Sequence, residues 1–225
     1  VKTAKRMGIK KDLPTIPSLP LGTAEISMWD FANAYTTLAS NGYKKDLGVI
    51  LKVTDMHGNI LYEKKNNSTQ VLNSNYTFIL NEMLTATYNS AFIDYNTPTI
   101  ISLGSKISRK YAMKTGSSGT DCYMIGYNPD ILMLVWNGYD DNRQMNPVDG
   151  NISKNIWVNT VEEYLKDKEA RWYDVPENVV GVPLDAITGN QAVNDKKMYV
   201  YYYVKGSEYV NSEMEYEGNK ENITE

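Results

Sequence analysis

The chain has 225 residues, of which 42% are apolar, and a formal net charge of −4; that allows one large domain with a sizeable core, and it argues against a dedicated nucleic-acid binder, which needs a basic stripe. A single cysteine, Cys122, and a single histidine, His57, rule out an internal disulfide and leave too few ligands for a zinc site or a Cys–His nucleophile pair. No apolar run approaches the ~20 residues of a membrane helix, and no signal peptide opens the chain.

The chain starts at Val1 within a helical pattern (Ala4, Met7, Ile9), so it is expected to begin inside a domain. Residues 1–9 read as the end of a helix closed by Gly8. Pro14, Pro17 and Pro20 make 12–22 a loop. A helix is expected over about 27–40, with Ser27 as its N-cap, Asp30 at the capping-box position and Asn41-Gly42 as its stop. Its apolar residues (Ile26, Trp29, Phe31, Ala32, Tyr35, Leu38) read as core. Strands are expected at 48–55 and 59–64 around a His57-Gly58-Asn59 turn, which leaves His57 as an exposed loop residue. Residues 73–88 suggest an amphipathic helix whose apolar face is Tyr76, Ile79, Leu80, Met83 and Leu84.

Residues 92–108, with Pro98 and Gly104, read as loop. A short strand then runs through Tyr111-Ala112-Met113-Lys114-Thr115-Gly116 into Ser117, Ser118 and Gly119. Two further strands, 121–128 and 131–138, meet at Asn128-Pro129-Asp130, a turn tight enough to require antiparallel pairing. A helix follows over 153–168 (Ile156, Trp157, Val161, Tyr164, Leu165). After Pro176, two strands at Val179–Asp185 and Met198–Val204 flank an Ile187-Thr188-Gly189 turn; they either complete the sheet's other edge or form a small separate lobe. From 206 onward the chain is a polar tail. The expected division is therefore 1–172, 173–205 and 206–225.

Lys114-Thr115-Gly116, followed by Ser117, is the one motif here with a mechanism. A tripeptide alone is a weak signal. Its setting strengthens it, with a strand before, hydroxyl residues after, and then a tight pair of apolar strands. A strand bordering an acyl-transfer site needs a cation and hydroxyls to hold a carboxylate, and a backbone N–H for a developing oxyanion. Gly116 lets a substrate backbone come close.

The motif resembles that of the serine penicillin-recognising enzymes, where Lys-Thr-Gly accompanies S-x-x-K and S-x-N. More of the chain follows the same pattern. Pro17-Ser18-Leu19-Pro20-Leu21-Gly22-Thr23-Ala24-Glu25, Ala34-Tyr35 and Asn41-Gly42-Tyr43 are similar to the stretch after S-x-N in class A penicillin-binding proteins. Ile125-Gly126-Tyr127-Asn128-Pro129-Asp130 and Val135-Trp136-Asn137-Gly138-Tyr139-Asp140-Asp141-Asn142 resemble the strand pair after Lys-Thr-Gly. Ile156-Trp157 and Val182-Pro183-Leu184-Asp185-Ala186-Ile187-Thr188-Gly189 resemble the family's C-terminal pattern. Together these blocks cover about residues 1–190.

The resemblance implies an α+β fold: a mainly antiparallel sheet flanked by helices, with the Lys114 strand bordering a cleft. It implies peptidoglycan D,D-transpeptidation, with stem peptides and β-lactams as ligands and no metal or cofactor. Lys114 would supply a positive field. Thr115 and Ser117 would bind a carboxylate, with Gly116 and Ser118 beside them in the substrate site, and the Ser117 N–H would form half of an oxyanion hole. A glycosyltransferase domain, a membrane anchor and a place on the outer face of the cytoplasmic membrane are also implied for the parent protein.

There are departures. No serine is followed three residues later by lysine, so the nucleophile is expected on an upstream segment. The only S-x-N, Ser153-Lys154-Asn155, comes after Lys114, the wrong order; it is expected to be a decoy at a helix cap. Ser117 stands where the family usually has threonine, and Gly119 and Cys122 stand where polar or bulky residues are common. Cys122 reads as a packed small residue. A non-catalytic homologue or scaffold fragment is the alternative, but it gives no reason for keeping Lys114, Thr115 and a hydroxyl at 117. A related β-lactamase or carboxypeptidase fits the tripeptide but fits the Pro17–Glu25 and Trp136–Asn142 blocks poorly.

Overall fold

A computed structural model describes residues 1–190 and 197–208. In chain order the elements are α1 (Lys2–Met7), a 3-10 turn (Leu19–Leu21), α2 (Met28–Ala39), β1 (Tyr43–Lys45), β2 (Lys52–Thr54), β3 (Ile60–Glu63), β4 (Ser68–Gln70), α3 (Ser74–Met83), β5 (Ala112–Ser117), β6 (Asp121–Tyr127), β7 (Leu132–Gly138), α4 (Ile152–Leu165), β8 (Val179–Asp185) and β9 (Met198–Val204). Among the described residues these form four small antiparallel sheets, with orders β1-β4, β2-β3, β5-β6-β7 and β8-β9. This is the expected α+β architecture. Gly8 closes α1 in a left-handed conformation, as expected.

The three-stranded sheet is the frame. Alternation along its strands separates two faces. Met113, Met124 and Val135 face α4 and pack with Tyr111, Trp157, Val158, Val161 and Leu165, joined by Ile100 and Leu103. Ala112 and Tyr127 pack on the other side with Leu38 of α2. Trp157 is the tightest joint. It is fully buried, its indole N–H donates to the Met133 carbonyl at 2.9 Å, and its ring lies edge-on to Tyr111 at 5.1 Å. It fits because residue 126 is glycine: a Cβ there would sit 2.5 Å from Trp157 Cζ2.

The structure changes several expectations. Ser27 does cap α2, accepting from the Asp30 amide at 3.1 Å. The Asp30 carboxylate, however, accepts from the Lys10 amide instead of closing a capping box. Trp29, expected in the core, is 47% exposed; the buried face of α2 carries Asn33, Ala34, Thr36, Thr37 and Leu38. In α3 the expected face is turned outward, with Tyr76, Leu80 and Met83 exposed and Thr77, Phe78, Asn81 and Glu82 buried. The reason is hydrogen bonding. Asn81 donates to the Leu38 carbonyl and accepts from the Tyr127 hydroxyl. Glu82 accepts from Lys110 and from the Trp172 indole, both at 2.5 Å. In α4, Trp157, Val161 and Leu165 are buried as expected, but Ile156 and Tyr164 are exposed. The 84–108 region, read partly as loop, holds 3-10 turns at Leu84–Tyr88, Ser90–Phe92 and Ile101–Lys106. The hairpin around the His57 turn forms, with shorter strands than expected.

The C-terminal strands β8 and β9 form their own two-stranded sheet and do not extend the frame. They dock on α3 and the turns after it. Phe78 meets Tyr202 at 5.2 Å and Phe92 meets Tyr199 at 4.8 Å, both edge-on, and the Tyr199 hydroxyl donates to the Glu82 carbonyl at 2.8 Å. Most of the expected polar tail, residues 209–225, lies outside the described residues.

Replacing Gly126 with alanine forces a methyl group into the Trp157 ring. We expect Gly126→Ala to lower unfolding free energy by about 1–3 kcal/mol, the usual cost of overpacking a filled core, measured as a shifted urea midpoint with an unchanged slope.

Candidate active-site edge

Strand β5 pairs on one side only among the described residues, with β6 (Lys114↔Ile125, Thr115↔Met124, Gly116↔Tyr123, Ser117↔Cys122). The Ser118 amide donates to the Asp121 carbonyl at 2.8 Å, which marks 118 and 121 as a hydrogen-bonded pair. In an antiparallel ladder such pairs alternate with non-bonded ones, whose N–H and C=O point away from the partner strand. Gly116 and Lys114 are therefore tied to β6, while Ser117, Thr115 and Met113 present backbone groups to the free edge. Two independent contacts agree with this register. The Tyr88 hydroxyl both accepts from the Tyr111 amide and donates to the Tyr111 carbonyl, each at 3.1 Å, closing the edge one step earlier. The Lys114 ammonium donates to the Thr115 carbonyl.

The side chains divide by alternation. Lys114 and Gly116 lie on the α2 side, near Tyr123, whose ring is 6.5 Å from Phe31. Thr115 and Ser117 share the other face. The Thr115 hydroxyl donates to Thr99 Oγ1 at 3.2 Å. The Ser117 hydroxyl is exposed and has no hydrogen-bond partner among the described residues. Ser118 is committed to the β5–β6 turn: its oxygen accepts from the amides of Thr120 and Asp121 at 3.1 and 3.0 Å. The nearest atom to a Cβ built on Gly116 is 4.0 Å away. Among the described residues, nothing packed against this position would clash with a side chain there.

Asp121 braces the turn. Its carboxylate accepts from the Trp136 indole at 2.7 Å and from Thr120 at 2.8 Å, with Ser118 at 3.3 Å. The indole bond, more than the two hydroxyls, holds its titration below the usual carboxylate value. The segment after β7 folds back on the same turn, with the Met145 amide donating to the Gly119 carbonyl at 2.9 Å and Gln144 packed against Gly119.

Other residues singled out from the sequence lie elsewhere. Cys122 is buried and free, and burial pushes its thiol up; it is a packed residue, as expected. Ser153 is not a helix cap. It is buried, and its amide donates to the Asn137 side chain at 3.1 Å. Two open hollows, of about 520 and 510 Å³, lie away from the edge, one around Lys45, Asn128 and Asp130 and the other along α4 beside Glu162. Tyr88, Thr99 and Asp121 were not singled out, because no motif marks them and each acts through a long-range or turn contact.

A mixed fold in which a Lys-Thr-Gly-Ser strand forms the open edge of an antiparallel sheet has the form of a transpeptidase-type fold. No family model matches the chain. It is 35% identical over 213 residues to penicillin-binding protein 2D of Bacillus subtilis, covering 94% of this chain and 31% of the relative. It is 26% identical over 186 residues to penicillin-binding protein 1A of Neisseria meningitidis, covering 78% and 22%. The crystal structure of penicillin-binding protein 1A from Haemophilus influenzae superposes with a TM-score of 0.78 at 22% identity, covering 93% of this chain and 37% of that one. The PonA1 protein of Mycobacterium tuberculosis, in complex with penicillin V, superposes with a TM-score of 0.62 at 20% identity, covering 76% and 50%. The chain belongs to the penicillin-binding proteins, and its fold is that of their transpeptidase domains. It spans less than a third of the length of the curated relatives named here.

Because the folded Asp121 carboxyl titrates below its ordinary 3.8, its contribution is fully present above that value and is lost as pH falls through the depressed one. Asp121→Asn is expected to be less stable than the parent chain at pH 7, with the gap closing below about pH 4. Thermal melts of both chains across that range check it.

Proposed function

We propose that this chain supplies one wall of a peptidoglycan D,D-transpeptidase site whose nucleophilic serine lies on an upstream segment. The observation that carries the reading is the open β5 edge, along which the Lys114 ammonium reaches the Thr115 carbonyl and the Ser117 N–H points outward, with no partner for the Ser117 hydroxyl among the described residues. Similarity to penicillin-binding proteins over 94% of the chain supports it.

In this reading the serine hydroxyl attacks the carbonyl of a D-Ala-D-Ala peptide bond and transfers its proton to a base. The tetrahedral oxyanion is held by the Ser117 N–H and the nucleophile's own N–H. The bond to the leaving amine breaks, that nitrogen takes a proton, and D-alanine departs. An amine of a second stem then attacks the acyl-serine, restoring the hydroxyl and completing the cross-link. Lys114 contributes a positive field, and the Thr115 and Ser117 hydroxyls bind the terminal carboxylate. Gly116 admits the substrate backbone, and Ser118 shapes the turn beside it. A β-lactam carries an equivalent carboxylate and acyl group, so it takes the same place; the PonA1 complex with penicillin V is the precedent in a protein of this fold.

Residues 1–172 would be the C-terminal part of the transpeptidase domain, and 173–205 an extension packed against it. We place the parent protein at the outer face of the cytoplasmic membrane, anchored outside these residues; among the described residues no helix is long and apolar enough to cross a membrane. A glycosyltransferase domain in the parent protein belongs to the same reading.

Incubation with a labelled penicillin, followed by denaturation and mass measurement of each polypeptide, tests this. No adduct is expected on the 225 residues alone, and one adduct is expected on the upstream segment when it is present. A stable adduct within the 225 residues would overturn the upstream assignment. An upstream serine that never labels would favour a non-catalytic homologue.

A further inference from the structure

We propose that residues 213–217, Glu-Met-Glu-Tyr-Glu, dock on the β2–β3 hairpin as a third strand against the open edge of β2. This is independent of the acyl-transfer reading above.

The hairpin leaves apolar surface bare. Every residue of β2 and β3 is exposed. Val49, Ile50, Leu51, Met56, Ile60 and Leu61 are all exposed, Met56 by 92% and Leu61 by 67%. A two-stranded hairpin is marginal in water until a further strand or a packed layer supports it, and contiguous bare apolar surface marks a docking site. The turn itself is well made. The Asp55 carboxylate accepts from the amides of His57 and Asn59, both at 2.8 Å, and from the Asn59 side chain at 2.7 Å.

Charge selects the occupant. Residues 44–65 carry five lysines against three acids, in a chain whose net charge is −4. The acids are already committed or set apart. Asp46 pairs with Lys44 at 3.2 Å, Asp55 holds the turn, and Glu63 lies on β3, across from Lys52. Lys45, Lys52, Lys64 and Lys65 have no ion pair among the described residues. A positive, apolar edge calls for a segment in which acids alternate with apolar residues. Residues 209–225 hold five glutamates and one lysine. Within them 213–217 alternates strictly, so a strand there would carry Glu213, Glu215 and Glu217 on one face and Met214 and Tyr216 on the other. A second copy of the hairpin would bring like charges together, which argues against it as the occupant.

Register and reach both fit. The Lys64 amide donates to the Leu51 carbonyl at 2.8 Å, so 51 and 64 are a hydrogen-bonded pair. The backbone groups of Lys52 therefore point away from β3, to an edge that no strand occupies among the described residues. A strand added there with Glu215 opposite Lys52 sets carboxylates beside the ammonium, and it sets Met214 and Tyr216 beside Leu51 and Val53. The hairpin and the segment also start from one place. The Tyr202 ring meets Phe78 at 5.2 Å. Thr77, next to Phe78, has its Oγ1 3.4 Å from a Cβ built on Gly42, and β1 begins at Tyr43. Nine peptide steps lead from Tyr43 to Lys52 and nine from Val204 to Glu213, each spanning at most about 30 Å.

Zero-length carbodiimide coupling of the full-length protein, with peptide mapping, tests this; hydrogen exchange is the second readout. Links from 213–217 are expected on Lys52 in protein of monomer mass, and high salt should weaken them. Deleting residues 209–225 should speed exchange of the Lys52 amide by about tenfold or more, because the bond that protects it is gone. Lys52→Glu and Glu215→Lys should each remove that protection, and the two together should restore it. An unchanged Lys52 exchange rate after the deletion would overturn the docking, as would links that fall on other lysines instead of Lys52. Links found only at dimer mass would give the edge to the same segment of a second molecule and overturn the intramolecular assignment. No readout here uses acylation, so each of these failures leaves the acyl-transfer reading standing.

Discussion

An antiparallel ladder offers its hydrogen-bonding groups alternately inward and outward, and the proposed site depends on where β5 starts that alternation. The Ser118–Asp121 pair sets the phase, so the outward groups belong to Thr115 and Ser117. A slip of one residue would turn the Ser117 N–H into β6 and send the side chains to the opposite faces. Everything that fixes the register, including the Asp121 carboxylate bound to Trp136 and the seat of Trp157 on Gly126, therefore acts on the site from a distance.

An unpaired edge is a hazard in most proteins because it invites another strand. Here it is closed at one end and open at the other. The Tyr88 hydroxyl stands in for a neighbouring strand at Tyr111, satisfying both its N–H and its C=O, and burial has pushed that phenol up to about 12, so it stays protonated and able to donate. The Lys114 ammonium then occupies the Thr115 carbonyl. What remains is a short stretch, the outward groups of Met113, the Thr115 N–H and the groups of Ser117.

Local rules read most of the frame from the sequence. The strand pair around Asn128-Pro129-Asp130 was legible because apolar runs bounded by a tight turn have one solution, and β8 and β9 were legible for similar reasons. The Lys114–Ser118 strand was legible from its motif and surroundings. What was hidden depended on polar burial. Periodicity selected Tyr76, Leu80 and Met83 as the inner face of α3, but the helix turns Asn81 and Glu82 inward because Tyr127, Lys110 and Trp172 bring them partners. A pattern of apolar residues cannot report a partner 46 or 90 positions away. The cap expected at Ser153 failed because the helical path begins earlier, in the 3-10 turn Pro147–Asn151 that runs straight into α4, which leaves Ser153 inside the first turn.

The buried carboxylate of Glu82 joins these levels. Lys110 lies two residues before β5, Trp172 is the last residue before the proposed extension, and both bind the same carboxylate, while the Glu82 backbone carbonyl takes the Tyr199 hydroxyl of β9. A buried charge is tolerated only when it is paired and hydrogen-bonded, so this carboxylate brings the segments of Lys110 and Trp172 together. The C-terminal sheet packs beside them through the Glu82 backbone carbonyl and the ring contacts of Tyr199 and Tyr202, and it adds no strand to the frame. Once placed, it presses Tyr199 on Phe92 and Lys197 on Asp94, the segment that leads to Thr99. The extension thus bears on the segment before β5 through a ring contact and an ion pair, and it is seated by the backbone of the residue whose carboxylate Lys110 and Trp172 satisfy.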